Sequence, residues 1–355
     1  MKRAAGLAAL AVMTSLGPLA CSASPTSPDA GPPAPAPSST DGGPVAPLDA
    51  AVPAPPADGG PLPGFSLRAY ASPADNPGGL SAFAEAPAGN PARALVVVLH
   101  GCTQRAADAA SSGWSDVARA YGFAALYPEQ TAANDPTTCF RWYAPEHASR
   151  GKGEAASIAA LAVDAKARLG ADHVYVAGLS AGGAMAAALL AGYPELFEAA
   201  SLEAAIPFGC AKTALEGAGC AAGPKSLSPA QWGDLVRASA APSARVRVQL
   251  WQGDQDPVVK PANADALVSQ WTNVAGVDAV PDEETTEGAV TRRSFKDGAG
   301  AARVELDLVR GMGHGAPIAT RGADAPCGAP GAYALDVGAC AAASAARFFG
   351  MSRLP

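Results

Sequence analysis

Gly178-Leu179-Ser180-Ala181-Gly182 constrains the chain more than any other stretch, because it sets small residues around a serine at a strand-to-helix junction. His173-Val174-Tyr175-Val176-Ala177 before it is a short apolar run with strand character. Gly183-Ala184-Met185-Ala186-Ala187-Ala188-Leu189-Leu190 after it is rich in helix formers. A serine in a strained turn needs neighbours with little side chain, so that strand and helix can pack closely on either side. The helix N-terminus then points free backbone N–H groups at any oxyanion formed beside the hydroxyl. In this setting Gly-x-Ser-x-Gly is a nucleophile elbow. In a chain with 39 glycines the five letters alone say little, and the flanking strand and helix carry the argument.

The same alternation of strand and helix extends along the chain. Ala94-Leu95-Val96-Val97-Val98-Leu99 is a continuous apolar run, the pattern of a strand buried on both faces. A helical pattern over 107–121, a strand over 124–127 and an Ala-rich helix over 153–169 follow, with Glu154 at the positive end of that helix. Further strands are expected over 199–205, 245–251 and 304–309, with a closing helix over 341–349. Such alternation predicts the α/β class, a mainly parallel sheet with right-handed crossovers flanked by helices. Catalytic residues then belong on loops at the carboxyl ends of the strands. The stretch 206–241, with Cys210, Cys220 and Trp232, is expected to form a small cap insertion that sets substrate choice.

The N-terminus reads differently. Met1-Lys2-Arg3, the apolar run Ala4 to Leu16 and the small residues of Gly17-Pro18-Leu19-Ala20 form a secretory leader over 1–21. Cys21 lies where bacterial lipoproteins carry their lipid-acceptor cysteine, although Pro18 and Leu19 depart from the usual order; the alternative is an idle thiol. Residues 22–63 are dominated by Pro, Ala, Ser, Gly and Asp, which cannot bury enough surface to order themselves, so a flexible tether is expected. Residues 64–355 are enough for one catalytic domain with a sizeable core.

Cysteine usage agrees with export. Besides Cys21 there are six, Cys102, Cys139, Cys210, Cys220, Cys327 and Cys340, an even number that suits disulfides in an oxidising compartment. Cys210–Cys220 and Cys327–Cys340 are near in sequence, which leaves Cys102 with Cys139, but six cysteines allow fifteen pairings and buried thiols are the alternative. A net charge of −7 with no basic block argues against nucleic acid as a partner. No later apolar run is suited to spanning a membrane, so membrane association is expected only through the N-terminal anchor, on an extracytoplasmic and monomeric protein.

Serine needs a base, and the chain has only four histidines. His100 ends the first buried strand, His147 lies in a polar loop and His173 opens the strand that leads to Ser180. His314 follows the last strand within Arg310-Gly311-Met312-Gly313-His314-Gly315, presented from a glycine-flanked turn, and is the expected general base. Asp254 and Asp256 both follow the strand ending near Trp251. Pro257 fixes the loop and favours Asp256 as the acid that orients His314, with Asp254 capping the turn. The order Ser180, Asp256, His314 is that of α/β-hydrolases. An oxyanion hole would take one N–H from Ala181 and a second from Cys102, with His100 bracing that loop. The histidines show no ligand pair at helical spacing, so neither metal nor cofactor is expected.

Leu99-His100-Gly101-Cys102-Thr103-Gln104, Arg150-Gly151-Lys152-Gly153-Glu154, Gly178 to Met185 and Gly311-Met312-Gly313-His314-Gly315 together resemble the polyhydroxybutyrate depolymerase-type esterases, a family similar to feruloyl and acetylxylan esterases. The resemblance runs from about Phe65 to the C-terminus and implies the α/β-hydrolase fold. It implies ester hydrolysis by the same three residues, on short-chain or hydroxybutyrate-type esters or on acylated polysaccharide. It extends to Cys139-Phe140-Arg141-Trp142-Tyr143, which suggests that Trp142, with Thr103, contacts the ester; simple packing is the alternative for Trp142. Nothing in the chain resembles a separate polymer-binding module, so soluble esters or oligomers are the expected substrates. A non-catalytic surface-binding lipoprotein on the same scaffold is the remote alternative.

Overall fold

The computed structural model describes residues 65–87, 92–240 and 246–354. The expected leader over 1–21, the lipid acceptor Cys21 and the tether over 22–63 lie outside the described residues. In chain order the elements are β1 (Arg68–Ala69), β2 (Ser81–Glu85), β3 (Ala94–Leu99), α1 (Ala106–Ala109), α2 (Ser115–Tyr121), β4 (Ala124–Glu129), α3 (Pro145–Ala148) and α4 (Gly153–Leu169). Then come β5 (His173–Leu179), α5 (Ala181–Gly192), β6 (Ala199–Glu203), α6 (Ala214–Ala222), α7 (Pro229–Arg237), β7 (Arg247–Gly253) and α8 (Ala262–Ala275). The chain closes with β8 (Glu283–Glu287), β9 (Val290–Lys296), β10 (Ala302–Val309), β11 (Ala316–Ile318), β12 (Ala334–Asp336) and α9 (Ala341–Phe348).

Ten of these strands form one sheet in the order β1-β2-β4-β3-β5-β6-β7-β10-β9-β8. From β4 to β10 every neighbour pairs in parallel, and antiparallel strands extend both edges. The fold is α/β, as the alternating pattern predicts. β3 shows why: all six of its residues are buried, and they feed two cores. Leu95, Val97 and Leu99 face a core shared with Ile158 of α4, Leu189 of α5 and Trp271 of α8. Val96 and Val98 face a second core with Trp114, Val117 of α2 and Ala345 of α9. α5 is apolar on all sides and buried throughout, as a helix held against the centre of a sheet must be.

Three features depart from the sequence reading. The helix expected over 107–121 is broken into α1, a π-helical turn over Ala110–Trp114, and α2. The break falls at Ser112 and Gly113, the latter with φ 109°, and a Cβ on Gly113 would lie 2.5 Å from Cys327 Sγ. The chain therefore opens where the Cys327–Cys340 disulfide packs against it. The hairpin β8–β9 gave no strand signal because β8 is exposed along its whole length and has no apolar face. Cross-strand pairs dress it instead, Arg293 with Glu284 at 2.6 Å and Lys296 with Glu283 at 2.5 Å. α8 went unrecognised, although it buries Leu267 and Trp271 in the main core.

Between β6 and β7 the chain forms α6 and α7 around a small cluster of Ile206, Cys210, Cys220 and Trp232. Ser228 starts α7 with a reciprocal cap to Gln231, and Pro229 follows at the first helical position. Gly219 on α6 has open space where a Cβ would go. Gly219→Ala is therefore expected to stabilise the chain by about 0.5–1 kcal/mol, through the lost backbone freedom of glycine in the unfolded state. A urea midpoint at or below that of the wild type would contradict this.

Candidate active site

Ser180 sits between β5 and α5 with φ 57° and ψ −118°, a region that residues other than glycine seldom visit. The turn is held from both sides, by Ser180 N donating to Glu203 O at 2.8 Å and Ala184 N donating to Ser180 O at 2.9 Å. A Cβ on Gly178 would meet Gly182 O at 2.5 Å, and a Cβ on Gly182 would meet Leu99 O at 2.3 Å. The glycines are thus required by contact between strand ends and helix. Ala181 opens α5, where N–H groups have no intrahelical acceptor.

β3 leads into the neighbouring turn. Gly101 lies against the serine, with its Cβ position 3.5 Å from Ser180 Cβ. His100 is 1% exposed, its Nδ1 lies 2.8 Å from Gly101 O and its Nε2 accepts from Gln130 N at 3.1 Å. That pattern makes Nδ1 the protonated nitrogen, and burial pushes the imidazole down to about 4, against the Gly101 hydrogen bond. A neutral imidazole with both nitrogens engaged is a brace. It grips the carbonyl of the Gly101–Cys102 peptide, whose N–H points the opposite way. Gln104 grips the same turn, its Oε1 accepting from Gly101 N at 2.8 Å.

Cys102 is bonded to Cys139, and the structure also pairs Cys210 with Cys220 and Cys327 with Cys340. Behind Cys139 stands Glu154, fully buried. It accepts from Gln130 Nε2 at 2.7 Å, from Arg141 N at 2.7 Å and from Arg141 Nε at 2.8 Å. In the sequence Glu154 reads as a helix-end charge and Arg141 as part of the Cys139–Tyr143 motif, while nothing local marks Gln130 as their partner. Thr103 is exposed with φ 64°, and its hydroxyl donates to Cys102 O at 2.6 Å. Trp142 is half-buried, edge-on to Tyr143 with ring centroids 5.8 Å apart, and lines a wall with Gly217 of α6.

The acid and the base come together. Asp256 Oδ2 lies 2.8 Å from His314 Nδ1, while Oδ1 accepts from Val258 N at 2.8 Å and Val259 N at 2.9 Å. Burial opposes charge on Asp256, but the His314 hydrogen bond and charge, with the two N–H groups, outweigh it and hold the carboxyl below the ordinary aspartate range. With Nδ1 engaged by Asp256, Nε2 is the ring nitrogen of His314 left without a hydrogen-bond partner among the described residues. Asp254 ties the two loops together, accepting from Gly311 N at 2.7 Å, and a Cβ on Gly253 would lie 2.3 Å from Met312 O. Tyr333 stands edge-on to His314 at 6.1 Å and packs with Leu179 and Ala204; its surrounding sequence carries no motif that would have marked it. Ser180, Asp256 and His314 follow β5, β7 and β10, whose register aligns Leu179, Glu203, Trp251 and Asp307 across the sheet. All three therefore lie on one carboxyl edge. Ser180 Oγ makes no hydrogen bond with His314; such contacts commonly tighten only around a substrate.

Residues 82–292 match the family Esterase PHB depolymerase. The chain belongs to that family. It is 38% identical over 292 residues to poly(3-hydroxyalkanoate) depolymerase C of Paucimonas lemoignei, covering 81% of this chain and 70% of that protein. It is 28% identical over 270 residues to acetylxylan esterase A of Aspergillus ficuum, covering 71% of this chain and 86% of the relative. The solved acetyl xylan esterase from Aspergillus awamori superposes with a TM-score of 0.62 at 25% identity, over 70% of this chain and 94% of that one. The chain is accordingly a carboxylic-ester hydrolase of the PHB depolymerase family.

One acid in this esterase had no role assigned from sequence. Glu203 ends β6, its carbonyl holds Ser180 N, and the residue borders a small cavity with His100, Gln104 and Leu179. Burial alone pushes it up to about 8, so it is protonated at neutral pH. An unfolded glutamate titrates near about 4.3, so the folded state's advantage is full below that pH and is lost as pH rises toward 8. Glu203→Gln cannot ionise, and its melting temperature should gain on the wild type steadily from pH 5 to pH 8. A difference that stays constant across that window would refute the assignment.

Proposed function

We propose that this chain is an exported serine esterase that cleaves carboxylic esters through an acyl-enzyme on Ser180, with 3-hydroxyalkanoate-type esters as its leading substrate class. The observation that carries the reading is the 2.8 Å Asp256–His314 pair on the same sheet edge as a strained Ser180. Ser180 Oγ attacks the ester carbonyl carbon as His314 Nε2 takes its proton. The oxyanion is held by the N–H groups of Cys102 and Ala181, and Asp256 stabilises the imidazolium. When the tetrahedral centre collapses, the alcohol leaves with the proton from His314. Water, activated by the same nitrogen, then attacks the acyl carbon and releases the acid, returning the proton to Ser180.

In this reading Trp142 and Thr103 contact the ester, and the β6–β7 insertion over 206–241 acts as the cap. The basic-then-apolar leader over 1–21, with disulfides that suit an oxidising compartment, supports export, with Cys21 as lipid acceptor and 22–63 as tether to the catalytic domain. The hydroxyalkanoate reading is supported by 38% identity to a protein named for that activity, against 28% to an acetylxylan esterase. The acetylxylan reading is kept as second because the solved structure with a TM-score of 0.62 bears that name.

Ser180→Ala should lower p-nitrophenyl butyrate hydrolysis by about 10⁴-fold or more and abolish fluorophosphonate labelling while the fold persists. Asp256→Asn should cost on the order of 10⁴ in kcat. Near-wild-type turnover in a folded Ser180→Ala protein would overturn the mechanism. Rates on hydroxybutyrate oligomers set against acetylated xylan decide between the two substrate classes.

A further inference from the structure

A concavity runs along the flank of α5, where its lining residues Arg150 and Ser239 meet Gly192. A cavity of about 350 Å³ opens between the chain segment after β4, which includes α3, and the β6–β7 insertion. Its size falls within the ~300–1,000 Å³ typical of small-molecule sites. Trp142 and Tyr143 line it on one side, Phe208 and Leu235 on the other. None of these walls is soft. Trp142 packs on α6 at Gly217, and the Cys210–Cys220 disulfide anchors the wall that runs from Phe208 to Lys212.

The charged residues that line this cavity are both cations. Arg150 and Lys212 border it, and no carboxylate is among its lining residues. Arg150 is already engaged, with Nη2 2.6 Å from Glu195, Nη1 donating to Gly192 O at 2.7 Å, and its guanidinium 4.9 Å from the Tyr193 ring centre. Lys212 is exposed, and its ammonium has no hydrogen-bond or ion-pair partner among the described residues. The nearby Glu216 carboxylate instead accepts from the Lys212 backbone N at 2.8 Å. An aromatic and aliphatic slot with one uncommitted ammonium at its mouth complements an apolar chain that ends in a carboxylate.

We propose that this cavity is a subsite for the free-acid end of an oligomeric hydroxyacid ester, with the ester units against Trp142, Phe208 and Leu235 and the terminal carboxylate at Lys212. The proposal rests on the ester-hydrolase reading, because each cut through a hydroxyacid polyester leaves a fragment with such a carboxylate. Acetate removed from a sugar hydroxyl leaves no carboxylate on the carbohydrate, so the same feature would not help that reaction. It also makes the enzyme one that continues on soluble fragments.

The test compares the 3-hydroxybutyrate trimer as free acid with its methyl ester. Wild type should favour the free acid in kcat/KM by about fivefold, the measure of one exposed ion pair, and the preference should shrink with added salt. Lys212→Glu should reverse that preference through KM, and Lys212→Ala should remove it. Ala238→Trp, at an exposed lining position, should raise KM for both trimers relative to p-nitrophenyl acetate by filling the slot. An acid-to-ester ratio near one in wild type, or one that the Lys212 variants leave in place, overturns the proposal. Should wild type hydrolyse no ester at all, the hydrolase reading itself fails. Calorimetric binding of the free-acid trimer to Ser180→Ala, and its loss in the Ser180→Ala/Lys212→Glu double variant, then still decides the subsite.

Discussion

The contact on which the rest depends is the approach of α5 to the end of β3. Gly182 lies so close to Leu99 O that a methyl group in its place would sit 2.3 Å from that oxygen. Nothing but glycine permits this. The approach brings the first turn of α5 to the turn after β3, and so sets Ser180 beside Gly101. The unusual backbone of Ser180 is the companion of the same constraint, since the chain must reverse from strand to helix within a single residue. Strain of this kind persists only where the surroundings over-determine it. Here the surroundings are the central strands of a sheet covered on both faces.

The turn after β3 is held by polar groups, most of them buried, where an apolar core would ordinarily suffice. His100, Gln104, Gln130 and Glu154 form a connected set of hydrogen bonds behind Gly101 and the Cys102–Cys139 bridge. Burying a carboxylate is costly unless its lone pairs are satisfied, and Glu154 accepts three hydrogen bonds with an arginine among the donors. What such a network supplies is direction. Apolar packing fixes position loosely, whereas a hydrogen bond to Gly101 O fixes the plane of the following peptide. His314 is held in the same manner, by Asp256 on one ring nitrogen and by a loop that Asp254 ties down from below.

How far the sequence disclosed this follows a physical line. Strands buried on both faces declare themselves through apolar runs, unbroken in β3 and over Val174–Ala177 of β5 and interrupted by Gln249 in β7, and all three are legible for that reason. The elbow and the Asp256 and His314 loops were legible because glycine and proline mark required backbone. Polar elements were not: β8 is all glutamate and threonine, and its stability comes from partners across the hairpin that no local pattern encodes. Glu154 looked like a helix-end charge because its position in the first turn was readable while its inward rotamer was not. Tyr333 and Glu203 meet the site from distant parts of the chain, and only the assembled sheet brings them there.

The division of labour across the carboxyl edge follows from chain connectivity. The proposed chemistry resides in short turns after β3, β5, β7 and β10, each braced by its neighbours. The proposed recognition surfaces lie on the longer connections, the segment after β4 and the β6–β7 insertion, which meet each other through Trp142 and Gly217. The disulfides respect the same division, since Cys102–Cys139 links the oxyanion turn to the first connection and Cys210–Cys220 closes the second on itself. The walls of the substrate slot can therefore vary in size and charge while the elbow and its braces stay as they are. The likeness of this chain both to a protein named for polyhydroxyalkanoate and to one named for acetylxylan fits that independence.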